Sequence, residues 1–155
     1  DLLKGIAICA KMKSVDVEGA TGYIDTNFEG KANAAIEEFK NGAELVYVHV
    51  EAPDECGHRG EIDNKPLSIE KIDGLILKPV LEYLENCGED FAILVLPDHP
   101  TPLEIRTHSH EAVPYFMYDS RKEVCGVSCF TEKNCEAMND YNPDGSTLLA
   151  DMIVR

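Results

Sequence analysis

Residues 91–96 read Phe-Ala-Ile-Leu-Val-Leu, an almost continuous apolar run that ends in Pro97, Asp98 and His99. A run of this kind predicts a strand buried on both faces, as in α/β proteins where crossover helices cover both sides of a parallel sheet. A second strong strand is expected at residues 45–50 (LVYVHV), leading directly into Glu51, Ala52, Pro53 and Asp54. Residues 4–9 (KGIAIC) read as a short buried strand. Residues 113–118 (VPYFMY) read as a fourth, with Pro114 favouring an edge or early position.

Helical signals alternate with these strands. Ala32, Ala35, Ile36 and Phe39 recur at helical spacing over residues 30–40, with Asp25, Thr26 and Asn27 as N-cap candidates and Asn41-Gly42 as the close. Ile69, Ile72, Ile76, Val80 and Leu84 form an apolar stripe over residues 66–86. Pro79 lies inside that stripe and predicts a kink or a break into two helices. Residues 131–138 and 147–154 suggest shorter helices, and Gly19 and Gly22 mark a loop. The alternation points to an α/β fold, three layers (α/β/α) with a mostly parallel sheet.

The chain has 155 residues, enough for one ordinary domain with a core. Its net charge of −15 and the lack of a basic stripe argue against nucleic acid, and any anionic substrate would need local cations. No apolar run approaches the roughly 18 residues of a membrane span. The six cysteines (Cys9, Cys56, Cys87, Cys125, Cys129, Cys135) form no CxxC pair and read as reduced thiols of a cytoplasmic protein. The irregular spacing of Cys125, Cys129 and Cys135 argues against a soft-metal cluster. The first residue is Asp1, so a processed, trimmed or excised chain is expected.

In open α/β sheets, sites collect beyond the carboxyl ends of strands. The strand at 45–50 is followed by Asp54 and His58, and the strand at 91–96 by Asp98-His99. His108 follows on a Pro-rich loop. Carboxylate with imidazole suits divalent ions such as zinc or manganese. Two ions about 3.5–4 Å apart can clamp the attacking and leaving oxygens of a phosphoryl group. Spacing alone supports this no better than it supports surface residues and a helix N-cap beside an incidental histidine.

The segments GATGYIDTNFEGKA (19–32), HVEAPDECGHRGE (49–61), KPLSIEKID (65–73) and LPDHPTPLEIRTHSHEAVP (96–114) resemble the cofactor-independent phosphoglycerate mutases of the archaeal type, in the alkaline phosphatase superfamily. The resemblance implies part of an alkaline-phosphatase-like core, with residues 1–155 as the C-terminal part of its metal-binding domain. It implies that Asp54, His58 and His108 hold one ion and that Asp98 and His99 serve a second. Two divalent ions are expected, manganese foremost with zinc, cobalt or magnesium as alternatives, and no 2,3-bisphosphoglycerate. The implied substrate is a small phosphorylated acid, phosphoglycerate.

The same comparison shows what is missing. The family pattern carries an Asp after the first strand and, further on, a Ser nucleophile. Ser14 and Asp16 stand in reversed order two residues apart and do not fit, and Thr21 lies in a different loop. The nucleophile is therefore expected in a preceding segment of a longer chain, with the 155-residue piece inactive alone and its sheet edges unpaired. The sequence does not specify an oligomeric state. Lys31 and Arg106 are weaker candidates for contacting substrate oxygens. His49 and Glu51 are candidates for orienting a metal-bound imidazole, while His110 and Lys65 are not expected in the site. Glu111 and Ala112 depart from the family pattern before Val113-Pro114. Two other readings stay open: a metal-dependent phosphatase or phosphonate-processing relative, and a non-catalytic α/β binding domain.

Overall fold

The computed structural model describes residues 2–122 and 126–154. Two compact units divide at Tyr83/Leu84.

The first unit is helical. Its α1 (Leu2–Cys9) occupies the stretch expected as a strand. A short apolar run does not by its periodicity distinguish strand from helix. Here its backbone bonds locally, Ala10 N–H to the Ile6 carbonyl at 2.9 Å and Met12 N–H to that of Ala7 at 2.8 Å. Leu2, Ile6 and Ile8 stay exposed. Next comes α2 (Phe28–Lys40), capped by Asn27 and closed at Asn41-Gly42, as the residue pattern predicts.

Residues 45–50 form neither helix nor strand. The strand expected there is not formed, because a strand requires a hydrogen-bonded neighbour. Tyr47 and His49, two residues apart, stack with ring centroids 6.4 Å apart.

The residues after this segment, given no element in the sequence pattern, form a helix, α3 (Ala52–Arg59). Pro53 fits its first turn, where no donor is needed. Gly60 closes it at φ 68°, a left-handed conformation that glycine adopts without a side-chain penalty. Asp54 and Glu55 lie in the first turn and His58 and Arg59 in the last, complementing the helix dipole at both ends.

The long helix breaks where Pro79 predicts. α4 (Asn64–Ile72) passes through a π-turn (Asp73–Leu77) into α5 (Lys78–Cys87). Pro79 has no N–H to continue the ladder, and the Lys78 N–H reaches back to Asp73 instead. Phe28, Ala32, Ala52 and Ile76 form the unit's core, with Val50, Ile72, Leu75 and Val80 packed on it.

The second unit holds β1 (Ala92–Val95) and β2 (Phe116–Asp119), then α6 (Glu132–Met138) and α7 (Leu148–Val154). Thr131 caps α6 through a bond from the Asn134 N–H. The α/β class holds, but the expected parallel pairing does not. β1 and β2 are antiparallel, Ala92 opposite Asp119 and Val95 opposite Phe116. An apolar run shows that a strand is covered without specifying which way its neighbour runs. Phe91 packs on Tyr118 at 5.7 Å, and Phe116 meets Phe130 edge-on at 5.1 Å.

Among the described residues no helix is long and apolar enough to cross a membrane. Cys9, Cys56, Cys87, Cys129 and Cys135 are free thiols. Cys125 lies outside the described residues.

Candidate metal centre

α3 explains how Asp54 and His58 come together. Ala52 and Cys56 are buried four residues apart on one face, at 0% and 3% exposure. Asp54 and His58, offset by two residues, fall on the opposite face. Asp54 Oδ2 lies 3.4 Å from His58 Nε2, with both side chains half-buried. Burial and the Glu61 carboxylate push the Cys56 thiol above its ordinary range, so it stays protonated on the packed side of the helix.

Around this helix the side chains act as struts. Lys31 Nζ donates to the His49 carbonyl at 2.9 Å, tying α2 to the segment that leads into α3. Burial pulls the Lys31 ammonium below its ordinary range, and the Glu51 carboxylate opposes that shift. His49 Nδ1 and Glu51 Oε1 are 3.9 Å apart, too far for a direct hydrogen bond. Asp16 is ion-paired with Lys4 on the surface, consistent with its exclusion from the site.

In the second unit, β1 delivers Asp98 and His99 at its carboxyl end. The His99 N–H donates to Asp98 Oδ1 at 3.1 Å, and His99 Nε2 lies 3.4 Å from Asp98 Oδ2. The following loop folds back on itself. The Arg106 N–H reaches the Pro102 carbonyl at 2.9 Å and the Ser109 N–H that of Pro100 at 3.2 Å. Arg106 ends this turn with φ 54°, in a conformation few residues other than glycine adopt. The turn lays the His108 ring against that of His99, with centroids 3.6 Å apart. Arg106 itself is exposed. A hydroxyl that the sequence reading passed over also belongs here: buried Thr101 places Oγ1 3.3 Å from His99 Nδ1. Its signal was its position two residues after His99, between two prolines.

The donor spacing fits a divalent ion. Two ligand atoms each about 2.1 Å from a tetrahedral ion lie about 3.4 Å apart. Both carboxylate–imidazole pairs have that separation, 3.4 Å. The sequence profile of the Metalloenzyme superfamily matches residues 2–144.

The chain belongs to the Metalloenzyme superfamily.

Curated relatives agree with the resemblance drawn from the motifs. The 2,3-bisphosphoglycerate-independent phosphoglycerate mutase of Methanosarcina mazei is 52% identical over 135 residues, covering 86% of this chain and 34% of its own length. A probable enzyme of the same name from Geobacter sulfurreducens is 41% identical over 156 residues, covering 100% of this chain and 39% of its own. The solved structure of the PH0037 protein from Pyrococcus horikoshii is similar with a TM-score of 0.83 at 27% identity, covering 99% of this chain and 45% of that one. The chain thus spans about a third of the length of the curated mutases it matches. For this member of the Metalloenzyme superfamily, family and donor chemistry agree on divalent-metal use.

Proposed function

We propose that this chain is the C-terminal, metal-binding part of a cofactor-independent phosphoglycerate mutase that interconverts 2-phosphoglycerate and 3-phosphoglycerate in the cytoplasm. In this reading residues 1–155 complete an alkaline-phosphatase-like domain of three α/β/α layers. Residues 45–50 and β1 then join a mostly parallel sheet contributed largely by a preceding segment. Asp54, His58 and His108 hold one ion, and Asp98 and His99 supply part of the shell of a second. Manganese is the favoured metal, with zinc, cobalt and magnesium as alternatives. The observation that carries the reading is the repeated carboxylate–imidazole pair, 3.4 Å apart both on α3 and after β1, each within a segment shared with the mutases.

When bound, the ions supply positive charge to phosphoryl oxygens and to an attacking hydroxyl. The chain's own contribution is to fix the ligands on a helix face and a proline-bounded loop, so that little reorganisation accompanies reaction. A serine outside residues 1–155 takes the phosphoryl group, and glycerate turns and receives it back on its other hydroxyl. Arg106 and Lys31 are assigned to the anionic substrate. Lys31 has two N–H donors besides the one on the His49 carbonyl.

The test uses the protein from the complete reading frame, loaded with manganese and given 3-phosphoglycerate. Formation of 2-phosphoglycerate with no comparable release of inorganic phosphate is expected. Phosphate release without isomerisation would replace the mutase with a phosphatase of the same superfamily.

A further inference from the structure

We infer that Thr101 is a positioning residue for the second ion, holding His99 in the ring orientation that can bind it and accepting from its Nδ1–H once the ion is on Nε2. The inference rests on the metal reading above. To bind a metal through Nε2, an imidazole must leave Nε2 unprotonated and carry its hydrogen on Nδ1, and that hydrogen needs an acceptor. His99 Nε2 faces the same space as Asp98 Oδ2, at 3.4 Å. Its Nδ1 meets Thr101 Oγ1 at 3.3 Å. A ring turned over by 180° would put carbon against that hydroxyl and carbon beside the carboxylate, so the contact selects the ring orientation, and with an ion on Nε2 the hydroxyl is placed to accept from Nδ1–H.

The hydroxyl is fixed in place beforehand. Thr101 is 4% exposed and stands between Pro100 and Pro102. A residue before proline is confined to extended conformations, and each proline fixes its own φ. The Ser109 N–H closes the loop on the Pro100 carbonyl at 3.2 Å. On the other side, the His108 ring at 3.6 Å limits how far the His99 ring can tilt. Polar partners of this kind, one bond removed from the ion, typically change metal affinity by about 10–100-fold when removed.

The test compares wild type, Thr101→Ser and Thr101→Val in the protein from the complete reading frame. Histidine-selective 15N labelling of the protein loaded with diamagnetic zinc reads the His99 Nδ1–H and its hydrogen bond, and manganese titration reads the affinity and number of ions. Wild type and Thr101→Ser are expected to bind two ions and to show a hydrogen-bonded His99 Nδ1–H. Thr101→Val, which keeps the shape and loses the hydroxyl, is expected to lose that hydrogen bond. It should bind the second ion about 10–100-fold less well, with the other ion within about twofold. Unchanged affinity for the second ion in Thr101→Val would overturn the positioning role while leaving the metal centre standing. A wild type that binds no second ion would overturn both.

Discussion

The motif segment at 19–32 owes its geometry to one side chain, and that makes a sharp prediction. Asn27 Oδ1 accepts from the Gly30 N–H at 2.8 Å, and its Nδ2 donates to the Glu18 carbonyl at 2.9 Å. One bond caps α2 and the other pins the preceding loop. A cap of this type contributes about 1 kcal/mol and an ordinary hydrogen bond about 0.5–1.5 kcal/mol. Because Asn27 is exposed, each falls in the lower part of its range, and Asn27→Ala should cost about 1.5 kcal/mol. Gly30 sharpens the test. A Cβ there would lie 2.4 Å from Asn27 Nδ2 and 2.6 Å from its Cγ, so alanine at 30 must evict the cap. Gly30→Ala alone should therefore destabilise, although alanine is the better helix former by about 1 kcal/mol. In an Asn27→Ala background the clash is gone and Gly30→Ala should stabilise. Urea unfolding of the four proteins followed by circular dichroism completes the cycle. A Gly30→Ala effect of the same sign in both backgrounds would refute the reasoning.

Asp119 accepts from Arg121 Nε and Nη2, both at 2.9 Å, and its carboxyl is held well below the usual carboxylate range, chiefly by that guanidinium. A depressed folded pKa gives stability that is present above the unfolded value near 3.8 and is lost as pH falls below it. Asp119→Asn should therefore destabilise at pH 7, with the difference from wild type shrinking as the pH is lowered through 3.8 and beyond; melting curves across that range provide the check. Gly60→Ala forces a side chain into φ 68° at the end of α3 and should cost about 1–2 kcal/mol, measured as a lower urea midpoint. His58→Ala should abolish one bound manganese per chain and leave the other, read by equilibrium dialysis with elemental analysis. Loss of both ions or of neither would contradict the separate ligand sets.

What could be read from the residues divides by how local each cause is. The cap at Asn27, the stop at Asn41-Gly42 and the break before Pro79 are settled by one or two residues each, and the structure has all three where the pattern places them. Strand pairing is not local. Residues 45–50 form no strand, residues 4–9 became a helix, and β1 met an antiparallel neighbour. α3 is a different case, since its signs were present: Pro53 at the start, Gly60 at the end and a four-residue spacing from Asp54 to His58. Asp54 and His58 were placed only as residues following a strand end, although their spacing is itself helical. The metal-type residues were legible as a set because carboxylate and imidazole cluster in short segments. Thr101 was passed over although it stands two residues after His99 between two prolines, because the burial of its hydroxyl shows only in the folded loop.

The central claim is that Asp54, His58 and His108 bind one divalent ion and Asp98 and His99 a second. Anomalous diffraction at the manganese edge, from crystals of the intact protein grown with manganese, tests it most directly. The account predicts two peaks, one within about 2.0–2.3 Å of donor atoms of Asp54, His58 and His108 and one at the same range from Asp98 and His99. Manganese seated only on other residues, or none at either group in a saturated crystal, would contradict it.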